Sequence, residues 1–147
     1  MKYLSLSACF GMLMSISCSK VDGVTSSESA GKLLQNQTWR ITGFFDDGYD
    51  RTADFTGYAF TFSDNGTLTL HKNGIYYTGG WVMTTTTSTK DSTEVEAIRF
   101  EFEDTRPVIQ LNKTWEVMSK TTKTVHLRYQ DNPLEKVYDD IFFRINY

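Results

Sequence analysis

The sequence predicts an all-β fold, an antiparallel eight-stranded up-and-down barrel, with a β-sandwich as the alternative. Three observations carry this expectation. After Gln37, apolar and polar residues alternate with period two almost to the end of the chain. Aromatic residues make up 14% of the sequence, beside 20 threonines and only two prolines, a mix that suits strands better than helices. Turn residues punctuate the alternating runs, most clearly at Asp64-Asn65-Gly66 and Asn73-Gly74, where Asn-Gly supplies the positive φ angles of a tight hairpin. A length of 147 residues bounds the chain to one domain. A net charge of −3 offers no basic face for nucleic acid.

The chain opens on an address rather than on structure. Met1-Lys2-Tyr3 is a short basic start, and Leu4 to Ile16 carries no charge. Thirteen residues are too few to span a bilayer core, which takes roughly twenty. A basic start, an apolar run of this length and small residues at its end describe a secretory signal peptide over residues 1–17. Ser17-Cys18 closes it in the manner of a lipobox, with Ser15 where leucine is usual, and here the chain resembles bacterial lipoproteins. That resemblance implies acylation of Cys18 and anchoring in the cell envelope, at the outer membrane, since two or three acyl chains hold a protein stably where one does not. Cys9 falls inside the discarded segment, so no disulfide is expected.

Residues 18–32 read as the lipidated cysteine and a flexible tether. The run SKVDGVTSSESAG is polar and small, and about 13 such residues reach roughly 20 Å. Thr25-x-x-Glu28 has the form of a capping box for one or two helical turns through Leu33 and Leu34. The folded domain is expected over residues 33–147. Its strands are Thr38–Phe45, Gly57–Ser63, Thr67–His71, Ile75–Met83, Glu94–Glu103, Trp115–Ser119, Thr124–Tyr129 and Asp140–Tyr147, with Thr84 to Thr89 as an exposed loop and both prolines in connections.

Alternation assigns one apolar face to every strand. Trp39, Ile41, Phe45, Tyr58, Phe60, Phe62, Leu68, Leu70, Ile75, Tyr77, Trp81 and Met83 fall on it. So do Ile98, Phe100, Phe102, Trp115, Val117, Val125, Leu127, Tyr129, Ile141, Phe143 and Ile145. The other face carries Arg40, Thr61, Thr69, His71, Arg99, Glu101, Glu116, His126, Arg128 and Arg144. A sheet with one wholly apolar face closes on itself or packs as two layers, and closure also removes exposed edges. Leu34…Thr38-Trp39-Arg40-Ile41, Phe45-Asp46-Asp47-Gly48-Tyr49-Asp50-Arg51-Thr52, Phe55-x-Gly57-Tyr58-x-Phe60-Thr61-Phe62, Asn65-Gly66-Thr67, Gly80-Trp81 and Leu111-Asn112-x-x-Trp115-Glu116-Val117 follow in order. Over residues 34 to 147 they resemble a lipocalin-like family of small bacterial lipoproteins. The resemblance implies a compact eight-stranded barrel in the envelope and no agreed activity. Of the lipocalin Gly-x-Trp opening only the tryptophan is met, with Gln37 in place of glycine.

Chemistry-bearing motifs are few. No Gly-x-Ser-x-Gly elbow is present, and His71 and His126 lie far apart on the outward register, so the expectation is a non-enzyme. Asp46, Asp47 and Asp50 form an acidic loop that offers oxygen ligands for calcium, although it lacks EF-hand spacing, and a solvated turn is the plainer reading. No other cofactor is expected. An eight-stranded barrel is just wide enough to be filled by side chains or to hold one small ligand. A small apolar ligand inside would meet Trp39, Tyr58, Phe60, Tyr77, Trp81 and Trp115, with Gly43 and Gly79 as gaps. A packed interior would leave binding of a protein or glycan to the outer face, where Phe44, Tyr76 and Phe142 are expected.

Overall fold

The computed structural model describes residues 26–35, 37–88, 90–103 and 105–147. The expected signal segment, Cys18 and the first part of the tether lie outside the described residues, as does Thr25 of the expected capping box.

The first element is a helix, α1 (Ala30–Gln35). Ser29 begins it, its Oγ accepting the Lys32 N–H at 3.3 Å and its carbonyl the Leu33 N–H at 3.2 Å. Six residues are far too few for a helix to persist alone, so packing must hold it. Leu33 and Leu34 are buried, and the Trp39 indole N–H donates to the Leu34 carbonyl at 3.0 Å. Gly31 permits the close approach: a Cβ there would lie 2.7 Å from Cγ of Met83. The helix thereby stoppers the lower end of the barrel, the end where the first strand starts.

The strands are β1 (Thr38–Asp46), β2 (Tyr49–Asp50), β3 (Ala59–Phe62), β4 (Thr67–Lys72), β5 (Ile75–Thr87), β6 (Glu94–Glu101), β7 (Thr114–Lys120), β8 (Thr124–Tyr129) and β9 (Asp139–Ile145). β2 is a two-residue return that pairs only with the upper end of β1. The remaining eight pair antiparallel with their sequence neighbours, and β9 pairs back onto β1. The ladder is continuous around the wall, so the fold is a closed up-and-down barrel and the sandwich alternative falls. The Asn73-Gly74 turn has both residues at positive φ (49° and 80°), as expected of a primed hairpin. Thr84 to Thr87, expected as loop, extend β5 in register with Glu94 to Ala97 of β6.

The interior is aromatic and filled. Phe62 lies at its centre, with ring centroids 5.4 Å from Trp81, 6.1 Å from Phe100 and 5.8 Å from Phe143. Phe60 packs edge-on to Phe143 at 5.3 Å. The gap expected at Gly79 is occupied, because a Cβ there would run into the Phe102 ring and come within 2.5 Å of the Glu101 carbonyl. Two 3-10 turns, Thr52–Phe55 and Val108–Leu111, bury Phe55, Val108 and Leu111 over the upper end. Aliphatic and aromatic side chains thus close both ends as well as the middle.

Four facing assignments are corrected. The β1–β9 register shifts between Ile41 and Gly43, a bulge that adds one residue and reverses the alternation beyond it. Phe44 therefore points inward, fully buried and edge-on to Phe55 at 5.1 Å, while Phe45 points outward and meets Phe142 at 6.4 Å. Gly43 consequently lies beneath the Phe142 ring on the outside rather than in the interior. Ile75, expected inside, is 49% exposed because the β4–β5 hairpin tip extends past β3, whose ladder to β4 stops at Ala59–His71.

Candidate functional site

Polar groups gather in two places, one beside the upper end and one on the outer wall. At the upper end, Lys113 precedes β7. Its Nζ donates to Oδ1 of Asp46 at 2.9 Å and to Oδ2 of Asp139 at 2.5 Å. The Oδ1 atom of Asp139 accepts the Asp47 N–H at 2.7 Å, so one buried carboxylate fastens the β1–β2 turn to the start of β9. The ammonium also stands 5.3 Å from the centre of the Tyr129 ring and 5.8 Å from that of Trp115. Burial pulls the Lys113 pKa down, but the two carboxylates outweigh it and hold the group above its ordinary value. Lys113 is a fixed cation, unsuited to act as a neutral amine nucleophile or base.

Next to it, Asn112 does the work of a missing strand. β6 and β7 are in register only from Ala97 to Arg99. Beyond that, Asn112 Oδ1 accepts the Phe102 N–H at 2.7 Å and its Nδ2 donates to the Phe102 carbonyl at 2.8 Å. The carboxamide therefore pairs with the N–H and carbonyl of Phe102 as a neighbouring backbone would.

On the outer wall, Asp140 of β9 gathers two residues of β8. Its Oδ1 lies 2.7 Å from His126 Nε2 and accepts Arg128 Nε at 2.9 Å, while Oδ2 accepts Arg128 Nη2 at 3.2 Å. The His126 ring stacks on Phe142 at 4.2 Å, and the Arg128 guanidinium lies 4.3 Å from the centre of the Tyr138 ring. Burial raises the Asp140 carboxyl, but its bonds to Arg128 and His126 more than offset this and hold it below its ordinary 3.8. A carboxylate depressed on folding contributes stability that is present above the unfolded pKa and lost as pH falls through the folded value. Urea midpoints should therefore decline as pH drops below about 4, and Asp140→Asn should flatten that decline while costing about 1.5–3 kcal/mol at pH 7. An unchanged acid limb in the variant would refute this assignment.

In the acidic loop, two of the three carboxylates have partners within the chain. Asp46 is engaged by Lys113, Asp50 accepts the Thr52 N–H at 2.9 Å, and the Asp47 backbone is tied to Asp139. Among the described residues, no three His, Cys, Asp or Glu side chains are grouped so as to hold a metal ion. His71 stacks on Tyr76 at 4.3 Å, well away from the Asp140 cluster.

Trp39, Tyr58, Phe60, Tyr77, Trp81 and Trp115, expected to line a ligand chamber, are brought together, but as packing. Trp39, Phe60 and Trp115 are fully buried, and the indole N–H groups of Trp115 and Trp81 are spent on the Leu111 and Ser63 carbonyls. The clefts lie outside: one of about 440 Å³ runs along Arg99, Glu101, Asn112, Lys113 and Tyr129, and one of about 520 Å³ lies on the acidic loop. None of the six residues lines either. The Lys113–Asp46–Asp139 and Asp140–His126–Arg128 groups were not anticipated. Only the outward register of His126, Arg128 and Arg144 on neighbouring strands hinted at the second.

These features define a class: a small closed eight-stranded antiparallel barrel with a packed aromatic core. No family model, no curated protein and no solved structure matches the chain.

Proposed function

We propose that the protein is a lipid-anchored component of the bacterial cell envelope, held at the outer membrane through Cys18, and a non-catalytic module that binds a protein or glycan partner through its outer face and upper loops. The packed aromatic core is the observation that carries the second half of this reading. With the six large side chains packed into or against one core cluster and both ends covered, an apolar ligand inside would have to displace core contacts worth several kcal/mol. Binding from outside disturbs nothing. The first half is supported by the order of basic start, apolar run, small residue and cysteine over Met1 to Cys18.

Fractionation of cells making the protein tests the anchor. The native chain should sediment with membranes, and Cys18→Ala should appear as a soluble, folded domain; a variant still bound to membranes would overturn the lipoprotein reading. Cross-linking in the same cells should capture one recurrent envelope partner, whereas a small apolar molecule found by native mass spectrometry in every preparation would move the site back indoors.

A further inference from the structure

The outer wall is indented where β5, β6, β7 and β8 lie side by side, and the geometry points to this indentation as a groove for a neutral oligosaccharide. Thr84, Ala97, Glu116 and Arg128 stand opposite one another in one row of the ladder, and Val82, Arg99 and Thr114 in the next. Both rows face outward, because Ile98, Phe100, Trp115 and Leu127, which alternate with them, are buried in the core. Ala97 is nevertheless fully buried, whereas Arg99 on the same face is exposed. A methyl group between the longer side chains of Thr84 and Glu116 thus forms a floor below the surrounding surface. Three clefts meet there, of about 440, 450 and 190 Å³. Thr114 borders all three, Arg99 the two larger ones, and Thr86 the second and third. Each of the two larger clefts has the volume of a small-molecule site.

The polar groups left over in the groove indicate its ligand. Among the described residues, the half-buried hydroxyls of Thr86 and Thr114 form no hydrogen bond, and the Glu116 carboxylate accepts none. A threonine hydroxyl donates and accepts and a carboxylate accepts, which matches the ring hydroxyls of a sugar. The cations lining the clefts are already paired: Arg99 with Glu101, Arg128 with Asp140, and Lys113 with Asp46 and Asp139. An anionic ligand would therefore find no free cation, and a cationic one would find the single carboxylate of Glu116. A protein partner would find little to hold. Of the large apolar side chains lining the clefts, Val82 alone is strongly exposed, and the Tyr129 ring is turned to Trp115 and Lys113. Threonine methyl groups offer sugar rings a thin apolar surface between the hydroxyls.

This site rests on the reading of the protein as a binding module, to which it gives a ligand class, and is independent of the anchor. The full chain carrying Cys18→Ser is applied to immobilised short oligosaccharides, neutral (hexose and N-acetylhexosamine) and acidic (uronic and sulfated). It should bind at least one neutral member, with an affinity changed by less than about twofold in about 0.5 M NaCl, because no ion pair is involved. Thr114→Val keeps the shape of the side chain and removes one neutral hydrogen bond, so affinity should fall about fivefold. Glu116→Gln removes a charged acceptor and should lower it by more than about tenfold. Neither side chain makes a hydrogen bond within the described chain, so melting of both variants should match that of the native protein. Thr61→Val/Thr69→Val, on the β3–β4 wall, should bind as the native chain does. Binding to no neutral member, binding to the acidic members alone, or an equal loss in Thr61→Val/Thr69→Val would overturn the groove. A protein partner cross-linked in cells would stand in each of these cases, so the binding-module reading fails only on its own test.

Discussion

Trp115→Ala should lower the stability of the barrel by about 3–5 kcal/mol, a large part of the 5–15 kcal/mol that holds a domain of this size. Trp115 is fully buried on β7 and touches four different parts of the fold. Its ring lies edge-on to Phe44 of β1 at 6.4 Å and to Tyr129 of β8 at 6.1 Å, its indole N–H donates to the Leu111 carbonyl of the upper 3-10 turn at 2.9 Å, and Lys113 stands 5.8 Å from its centre. Alanine would leave a cavity that the surrounding strands, fixed by closure, can fill only in part. Trp115→Phe keeps most of the volume and loses the N–H bond, so it should cost less than half as much. Urea unfolding monitored by circular dichroism separates the two variants. Equal stability of Trp115→Ala and the native chain would mean that the upper end is loosely packed.

Lys113→Met is expected to cost about 3 kcal/mol for a different reason. Methionine replaces the stem of the side chain well, but Asp139, whose side chain is 7% exposed, would face Asp46 with no cation between them. Breaking an ion pair by removing one partner is costly because the other charge stays buried. Lys113→Met/Asp139→Asn should therefore recover part of the loss, with a coupling energy of about 1–3 kcal/mol in a double-mutant cycle. The sign with pH follows from the raised Lys113 pKa. Its contribution is complete below the unfolded value near 10.5 and is lost only as pH rises through the higher folded value. The native barrel should thus keep this cross-link throughout the physiological range. Strict additivity of the two substitutions would show that the residues do not act together.

The architecture was legible because a strand's period is two and a barrel has one inside. Alternation alone located the eight wall strands, and Asn73-Gly74 makes its expected hairpin with both residues at positive φ, whereas at Asp64-Asn65-Gly66 only the glycine adopts it. Alternation failed where the chain inserts a residue: the bulge between Ile41 and Gly43 exchanges the roles of Phe44 and Phe45, and nothing in two adjacent phenylalanines marks which one faces in. The two 3-10 turns escaped because four residues are too few to show a helical period. The polar groups were illegible for a deeper reason. Asp46 and Lys113 are 67 residues apart, and Asn112 makes its paired bonds ten residues away, across a ladder end that no local pattern announces. Asp46, Asp47 and Asp50 offered oxygen ligands for calcium beside the plainer reading of a solvated turn. The cation Asp46 meets is a lysine of the same chain.

An even number of strands has a consequence for display. An up-and-down barrel of eight must start β1 and finish β9 at the same rim, as the bond from the Asn146 N–H to the Thr38 carbonyl records. Everything fused before β1 or after β9 emerges on that side, crowded against α1. Among the described residues the opposite rim is made of residues 47–58 with β2, 73–74, 102–103, 105–113 and 130–138. A reporter placed at the carboxyl end would emerge beside α1, whereas one inserted near Leu134, 91% exposed, would stand at the opposite rim. Parity thus divides the molecule into a rim where α1, the start of β1 and the end of β9 meet, and a rim made of loops.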